Sequence, residues 1–371
     1  MDMEHRLDAV VTAAIAERRI VGAVLLVHKD GRPLYGKAHG LADREAGRPM
    51  MRDTIFRYSS LTKPIVAATI LALADAGKLQ LDDPVTSFLP DFRPRLADGS
   101  VPEITLHHLL THTSGLSTAS ILTAGEQAAG VNRWRLGTAA IMDRLAGLDL
   151  LFSPGTGWAY GPSIDVLGVI AGHIVGGTPG DAMAQCVTGP LQMRDTQFGV
   201  SDRSRLAAAY ADAPDGAVLM GDPHGVANPW GAVTSYDPGR ILDASAFQSG
   251  GGGAAGTAAD FMTLIETLRS GGGAVLRPET VALGMANQTP QLAQAVGPGL
   301  QFSYFGAFVD DPQAAALPVP RGTVRWGGIY GHNWFIDPQN GLCVVSMSNT
   351  GLEGSDGAYR DEVCNAIYAA L

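Results

Sequence analysis

Ser60 and Lys63 stand three residues apart at the head of a stretch, 60–77, rich in Ala, Ile and Leu. On a helix, positions i and i+3 share a face, so the Lys63 amine can reach the Ser60 hydroxyl. A helix N-terminus favours the negative charge that develops on a nucleophile or its adduct. A lysine inside an apolar helix is costly to bury charged, and desolvation makes it a candidate base. Ser-x-x-Lys alone is a common string, so its placement after a strand-rich segment carries the reading. A second group is Trp158-Ala159-Tyr160-Gly161-Pro162-Ser163. Taken alone, Tyr160 reads as a packing residue with its hydroxyl in water. Near a lysine, a tyrosinate can instead remove a proton from a serine and return it to a leaving group. A third is Trp326-Gly327-Gly328-Ile329-Tyr330-Gly331-His332. Two glycines inside a strand weaken it and mark a close approach to the backbone, either by a substrate carbonyl or at a bulge. His332 either lines the pocket or serves as a cap.

These groups need elements to hold them. Apolar residues at Leu7, Val10, Val11, Ala14 and Ile15 have helical spacing, which predicts an amphipathic first helix over 4–18. Two β-rich runs, 23–28 and 33–39, flank Asp30-Gly31, a hairpin signal. Pro64 is tolerated only near a helix start, so the next helix begins close to Ser60, and Gly77 ends it. From about 80 to 250, helical segments alternate with Pro/Gly-rich connections, and 211–235 reads as a surface loop. Ser249 and the four glycines after it lack the Lys-Ser/Thr ending of a phosphate loop, so they read as a tight turn before a helix at 258–270. Strands are expected at 301–309, 323–330, 333–337 and 342–348, with a closing helix at 358–371. Strands thus sit at both ends of the chain and helices in the middle. The expected fold is α+β: an antiparallel sheet built from both termini (1–78 and 253–371), flanked by helices, with a mostly helical domain (79–252) inserted.

The combination resembles the class C β-lactamases, D-amino-acid peptidases and family VIII carboxylesterases, a penicillin-recognising superfamily of serine hydrolases. The Ser-x-x-Lys helix, the tyrosine element and the late Gly-rich strand recur there in this order. The stretches Ile104-Thr105-Leu106-His107-His108-Leu109-Leu110-Thr111-His112-Thr113-Ser114-Gly115-Leu116, Ile55-Phe56-Arg57-Tyr58-Ser59-Ser60 and Asp165-Val166-Leu167-Gly168 are similar to signatures of the superfamily. The resemblance implies that Ser60 is the nucleophile and that Lys63 and Tyr160 form the base system, with either as the base. It implies an oxyanion site between the N–H groups of Ser60 and Ile329. Trp326, Gly327, Gly328 and His332, on or beside the Gly-rich strand, are the residues expected to bind substrate. Two departures point toward esters. The β-lactamases carry Lys-Thr-Gly where this chain has Trp326-Gly327-Gly328, as in family VIII esterases. Losing that lysine removes a cation that would hold a carboxylate. The β-lactamase Tyr-x-Asn is Tyr160-Gly161-Pro162 here, and Pro162 has no side-chain amide.

The expected function is therefore a serine carboxylesterase that cleaves short-chain esters through an acyl-enzyme on Ser60. The alternatives are a β-lactamase or D-amino-acid peptidase, an acyltransferase that uses an alcohol in place of water, and a sensor that acylates once and stalls. No cofactor is expected. His107, His108 and His112 form no His-Glu-x-x-His pattern and read as structural, so no metal is expected. Asp165 reads as a helix-start residue. The 371 residues carry a net charge of −10 with no basic patch, which argues against nucleic acid as a partner. No stretch reaches the roughly 18 apolar residues of a membrane span. Cys186, Cys343 and Cys364 lie far apart and read as free thiols, and the first residues do not read as a secretory leader, so the cytoplasm is the expected location.

Overall fold

The computed structural model describes residues 2–117, 135–227, 233–293 and 295–371. Helix α1 (Met3–Ala16) is capped by Asp2, whose carboxylate accepts the His5 N–H. Strands β1 (Gly22–Lys29) and β2 (Arg32–Asp43) form a hairpin through Asp30 and Gly31, both at positive φ. The short β3 (Arg48–Pro49) and β4 (Ile55–Arg57) lead to a tight helical turn, Ser59–Leu61, that runs into α2 (Thr62–Asp75). The middle of the chain holds α3 (Leu106–Leu110) and the helices Thr138–Ala146, Ser163–Val175 and Pro179–Met183.

The stretch read as a surface loop contains two small hairpins: β5 (Tyr210–Ala211) with β6 (Val218–Leu219), and β7 (His224–Ala227) with β8 (Val233–Tyr236). The first turns at Gly216, whose N–H meets the Ala213 carbonyl and whose φ of 108° suits glycine. Strand β9 (Ala255–Thr257) precedes the helix Ala258–Arg269. The expected strand at 301–309 is two strands, β10 (Leu300–Phe302) and β11 (Ala307–Val309), because the Ser303 hydroxyl accepts the N–H groups of Phe305 and Gly306 and folds the chain back. Strands β12 (Val324–Gly328), β13 (His332–Asp337) and β14 (Leu342–Ser348) follow, then the helices Gly351–Asp356 and Ala358–Tyr368.

Eight strands make one antiparallel sheet in the order β10-β11-β12-β13-β14-β1-β2-β3. The two ends of the chain meet where β1 pairs with β14, from Ala23 opposite Ser348 to Lys29 opposite Leu342. Side chains alternate across a strand, and here both faces are covered. Val24 and Leu26 of β1 join Val345 and Met347 in the core that contains α2. Ala23, Leu25 and Val27 face a second core with Leu7 and Val11 of α1 and Tyr359, Val363 and Ile367 of the last helix. Burial on both sides explains why β1 reads as a continuous apolar run and not an alternating one.

Helix α2 is buried nearly all round, as an apolar helix without a polar stripe must be. Lys63 is its one cation. Pairing of β4 with β9 sets Arg57 opposite Ala255, which carries the glycine-rich run to the head of α2. Among the described residues, no helix is long and apolar enough to cross a membrane.

Candidate active site

Ser60 sits in the turn that launches α2, just after Ser59, which adopts a left-handed conformation with φ of 45°. That region costs a non-glycine residue about 1–3 kcal/mol and persists only where its surroundings enforce it. The surroundings are identifiable. The Ser59 hydroxyl donates to the Tyr58 carbonyl at 2.7 Å. Gly328 at the end of β12 presses against the same turn: a Cβ there would lie 2.5 Å from Ser59 Oγ and 2.7 Å from the Tyr58 oxygen. The glycines expected to receive a substrate are thus needed for packing of strand on turn. Gly327 faces the His332 carbonyl in the same manner, at 2.8 Å from a built Cβ.

Lys63 Nζ donates to Ser60 Oγ at 3.2 Å and to the Gly251 carbonyl at 2.5 Å. The glycine run forms the expected tight turn, with the N–H groups of Gly252 and Gly253 both reaching the Ser249 carbonyl. Asp165 holds this turn in place. Its buried carboxylate accepts the Ser249 hydroxyl and, at 3.1 Å, the Gly251 N–H. Asp165 therefore does more than start a helix: it fixes the peptide that receives the lysine. A buried carboxylate must find partners, and its place at the head of the apolar run 164–175 was the signal available in the sequence.

Tyr160 Oη donates to Ser60 Oγ at 2.8 Å, so serine, lysine and tyrosine converge on one oxygen. Lys63 Nζ also lies 4.4 Å from the Tyr160 ring centroid. Tyr160 is 38% exposed, but its ring is set in a pile of aromatics. His112 lies 4.8 Å away, Trp326 5.1 Å and Trp158 6.1 Å, with Phe302 edge-on to both His112 and Trp326. The Trp326 indole N–H donates to Tyr160 Oη at 3.0 Å.

A cavity of about 220 Å³ opens at this cluster. Ser60, Lys63, Tyr160 and Ile329 line it, together with Asp165, Gly251, Arg57, Asp237, Arg240 and Tyr330. Asp237 is ion-paired with Arg135, and Arg57 donates to the carbonyls of Pro238 and Ala207. Burial lowers the pKa of Arg57 and pushes that of Tyr330 up to about 12. Four residues expected to bind substrate, Trp326, Gly327, Gly328 and His332, are not among those that line the cavity. Trp326 is engaged with Tyr160. His332 is buried, packs edge-on to Phe56, and its Nε2–H donates to the Arg57 carbonyl at 2.8 Å, which makes it a brace for β4. Burial lowers its pKa to about 4.

The other histidines are placed by different contacts. His107 meets the Tyr304 hydroxyl, and the His108 ring accepts the Thr105 N–H in a capping box. Burial lowers the pKa of both, and that of His112 further. Among the described residues, no group of three or more His, Cys, Asp or Glu side chains is arranged to hold a metal ion. The three cysteines are free thiols.

An antiparallel sheet covered by helices on both faces, with a Ser-x-x-Lys pair at the head of the buried helix, is the fold class of the β-lactamases and transpeptidases. The family model described as Beta-lactamase matches residues 7–366, and the chain belongs to that family. It is 43% identical to Esterase EstB of Burkholderia gladioli over 98% of this chain and 95% of that protein. The structure titled "EstCE1, a hydrolase with promiscuous acyltransferase activity" is 39% identical, covers 98% of both chains and superposes with a TM-score of 0.93. Simvastatin Synthase (LovD) from Aspergillus terreus, unliganded, shares the fold at 21% identity and a TM-score of 0.75, over 100% of this chain and 98% of that one. The family VIII esterase resemblance read from the motifs agrees with the first two.

Proposed function

We propose that this protein is a serine carboxylesterase that cleaves small, short-chain esters through an acyl-enzyme on Ser60. The carrying observation is the convergence of Lys63 Nζ and Tyr160 Oη on Ser60 Oγ at 3.2 and 2.8 Å inside one cavity. Similarity to an esterase over nearly the whole chain supports the choice of ester over amide.

Ser60 is the nucleophile, and the Lys63–Tyr160 pair takes its proton. Ser60 Oγ attacks the ester carbonyl carbon, and the carbonyl electron pair moves onto oxygen. The N–H groups of Ser60 and Ile329 are assigned to that oxyanion, where one donor is typically worth roughly 3 kcal/mol. Collapse breaks the bond to the alcohol, which leaves with the proton held by the base pair. Water then loses a proton to the same pair, adds to the acyl carbon, and Ser60 departs protonated. The cavity draws its lining from 1–78 (Arg57, Ser60, Lys63), from 79–252 (Tyr160, Asp165, Asp237, Arg240) and from Ile329 and Tyr330, which supports its reading as the junction of an inserted helical unit with the sheet.

Trp326 stands where a β-lactamase-type cation would be, so carboxylate-bearing β-lactams should be the poorer substrates. The test compares kcat/KM for 4-nitrophenyl butyrate and a chromogenic cephalosporin on one preparation. The ester should lead by roughly ten- to a hundredfold, the value of one charge-assisted contact. Cephalosporin cleavage that equals or exceeds ester cleavage contradicts the assignment. Acyl transfer to an alcohol is the second reading, favoured by the similarity to EstCE1. Added butanol should then divert acyl groups to butyl butyrate.

A further inference from the structure

We infer that Arg57 and Arg240 form a carboxylate subsite within the Ser60 cavity, so that the preferred small esters carry a carboxylate at the end of a short flexible chain. The inference deepens the esterase reading and rests on it. Arg57 stands three residues before the nucleophile and lines the same cavity, as does Arg240. A guanidinium fork has N–H donors on all three nitrogens. In Arg57, Nε donates to the Pro238 carbonyl at 2.8 Å and Nη1 to the Ala207 carbonyl at 2.7 Å, while Nη2 makes no hydrogen bond among the described residues. Two carbonyls fix the fork without neutralising it.

A cation held away from water is costly unless a negative charge meets it. Two carboxylates line this cavity, and both are engaged elsewhere. Asp165 accepts the Ser249 hydroxyl and the Gly251 N–H, and the buried Asp237 is ion-paired with Arg135 at 2.9 Å. Arg57 makes no ion pair among the described residues. Arg240 brings a second guanidinium, whose Nη2 donates to the Phe247 carbonyl at 3.5 Å. That nitrogen lies 2.6 Å from where a Cβ on Gly253 would stand, so the glycine turn leaves room for it. Both guanidiniums lie close enough to Tyr330, another residue of the lining, to favour its ionised form against the effect of burial. They therefore share one part of the wall. Guanidinium and carboxylate match as planar groups and form charge-assisted bonds. A flexible chain can carry its carboxylate there while its ester meets Ser60. The fused ring of a cephalosporin holds its carboxylate next to the reacting amide and has no such reach.

The carboxylate can hang from the acyl side or from the alcohol side, and the experiment separates the two. The acyl-side probes are the monoethyl esters of succinic, glutaric and adipic acid, and the alcohol-side probe is 4-acetoxybutyrate. Each is compared with its primary amide, which keeps the shape and removes the charge. At pH 7 the acid should exceed its amide by roughly ten- to a hundredfold in kcat/KM, chiefly through KM, in at least one pair. Arg240→Met should lower that acid-to-amide ratio toward one, and Arg240→Lys, which keeps the charge, should retain part of it. Arg57→Met should act in the same way. Because Arg57 also braces two carbonyls, the wild-type ratio and Arg240→Met decide the matter if Arg57→Met does not fold. No preference for acid over amide in any pair, or a preference that Arg240→Met leaves in place, overturns the inference. Hydrolysis of 4-nitrophenyl butyrate alongside that result leaves the esterase reading standing, whereas its absence overturns both.

Discussion

The two sides of the site are built differently. On the Ser60–Lys63 side, backbone does the holding: Lys63 is only 9% exposed and its ammonium rests on the Gly251 carbonyl, the turn is pinned by Asp165, and Gly328 lets a strand press on Ser59. On the Tyr160 side, rings do the holding: His112, Trp158 and Trp326 pack on a partly exposed tyrosine, Phe302 packs on those three, and one indole N–H meets the tyrosine oxygen. Hydrogen-bonded backbone in a close-packed core tolerates little displacement. Aromatic contacts worth about 0.5–1.5 kcal/mol each permit more. The nucleophile is thus placed rigidly, and the partner that must exchange protons with solvent and leaving group stands at the open edge.

If both sides serve one proton path, Lys63→Ala and Tyr160→Phe should each slow acylation by about 10²–10⁴, the usual cost of losing a general base. The double variant should fall well short of the product of the two losses. Burst-phase kinetics with a nitrophenyl ester measure this, and strictly multiplicative losses would separate the two sides into independent functions.

Acid should strain both sides at once, because each has a buried neutral histidine: His332 bracing β4 ahead of the Ser60 turn and His112 against Tyr160. The pKa of His332 is lowered from its ordinary 6.5 to about 4. Between those values the unfolded chain binds a proton that the folded one does not, so stability is intact above pH 6.5 and is lost as pH falls toward 4. The difference amounts to about 3 kcal/mol for His332 alone. Urea midpoints at pH 7 and pH 4.5 should show the drop, and His332→Asn should flatten it. Equal pH dependence in that variant would assign the acid sensitivity elsewhere.

Smaller effects sharpen the contrast. Gly328→Ala must displace Ser59 or Tyr58 and should destabilise by about 1–3 kcal/mol while lowering kcat. Phe302→Leu removes the edge-on contacts with His112 and Trp326 from the ring pile and should change kcat/KM by roughly two- to tenfold. Thermal melts and ester kinetics on the two variants measure the difference. A larger loss from Phe302→Leu would reverse the ranking of the two sides.

The same division explains what could be read from the sequence. Ser60 and Lys63 are local, three residues apart on one helix, and periodicity alone relates them. The sheet was legible from apolar runs and turn signals at both ends, since each strand announces itself locally. Tyr160 needed the family resemblance, because nothing local ties it to Ser60. The Trp326 bond to Tyr160 and the Asp165 hold on the glycine turn escaped notice because each joins segments far apart in the chain. Trp326 in particular read as a pocket wall, since a type change from cation to ring says what was lost and not which way the new side chain turns.

The most direct test of the central claim is turnover of 4-nitrophenyl butyrate by Ser60→Ala, with its melting temperature recorded to verify the fold. The substitution removes one hydroxyl at the head of α2, so the melt should be nearly unchanged while ester hydrolysis falls to the background rate. A folded Ser60→Ala protein that keeps near-wild-type turnover would contradict the account.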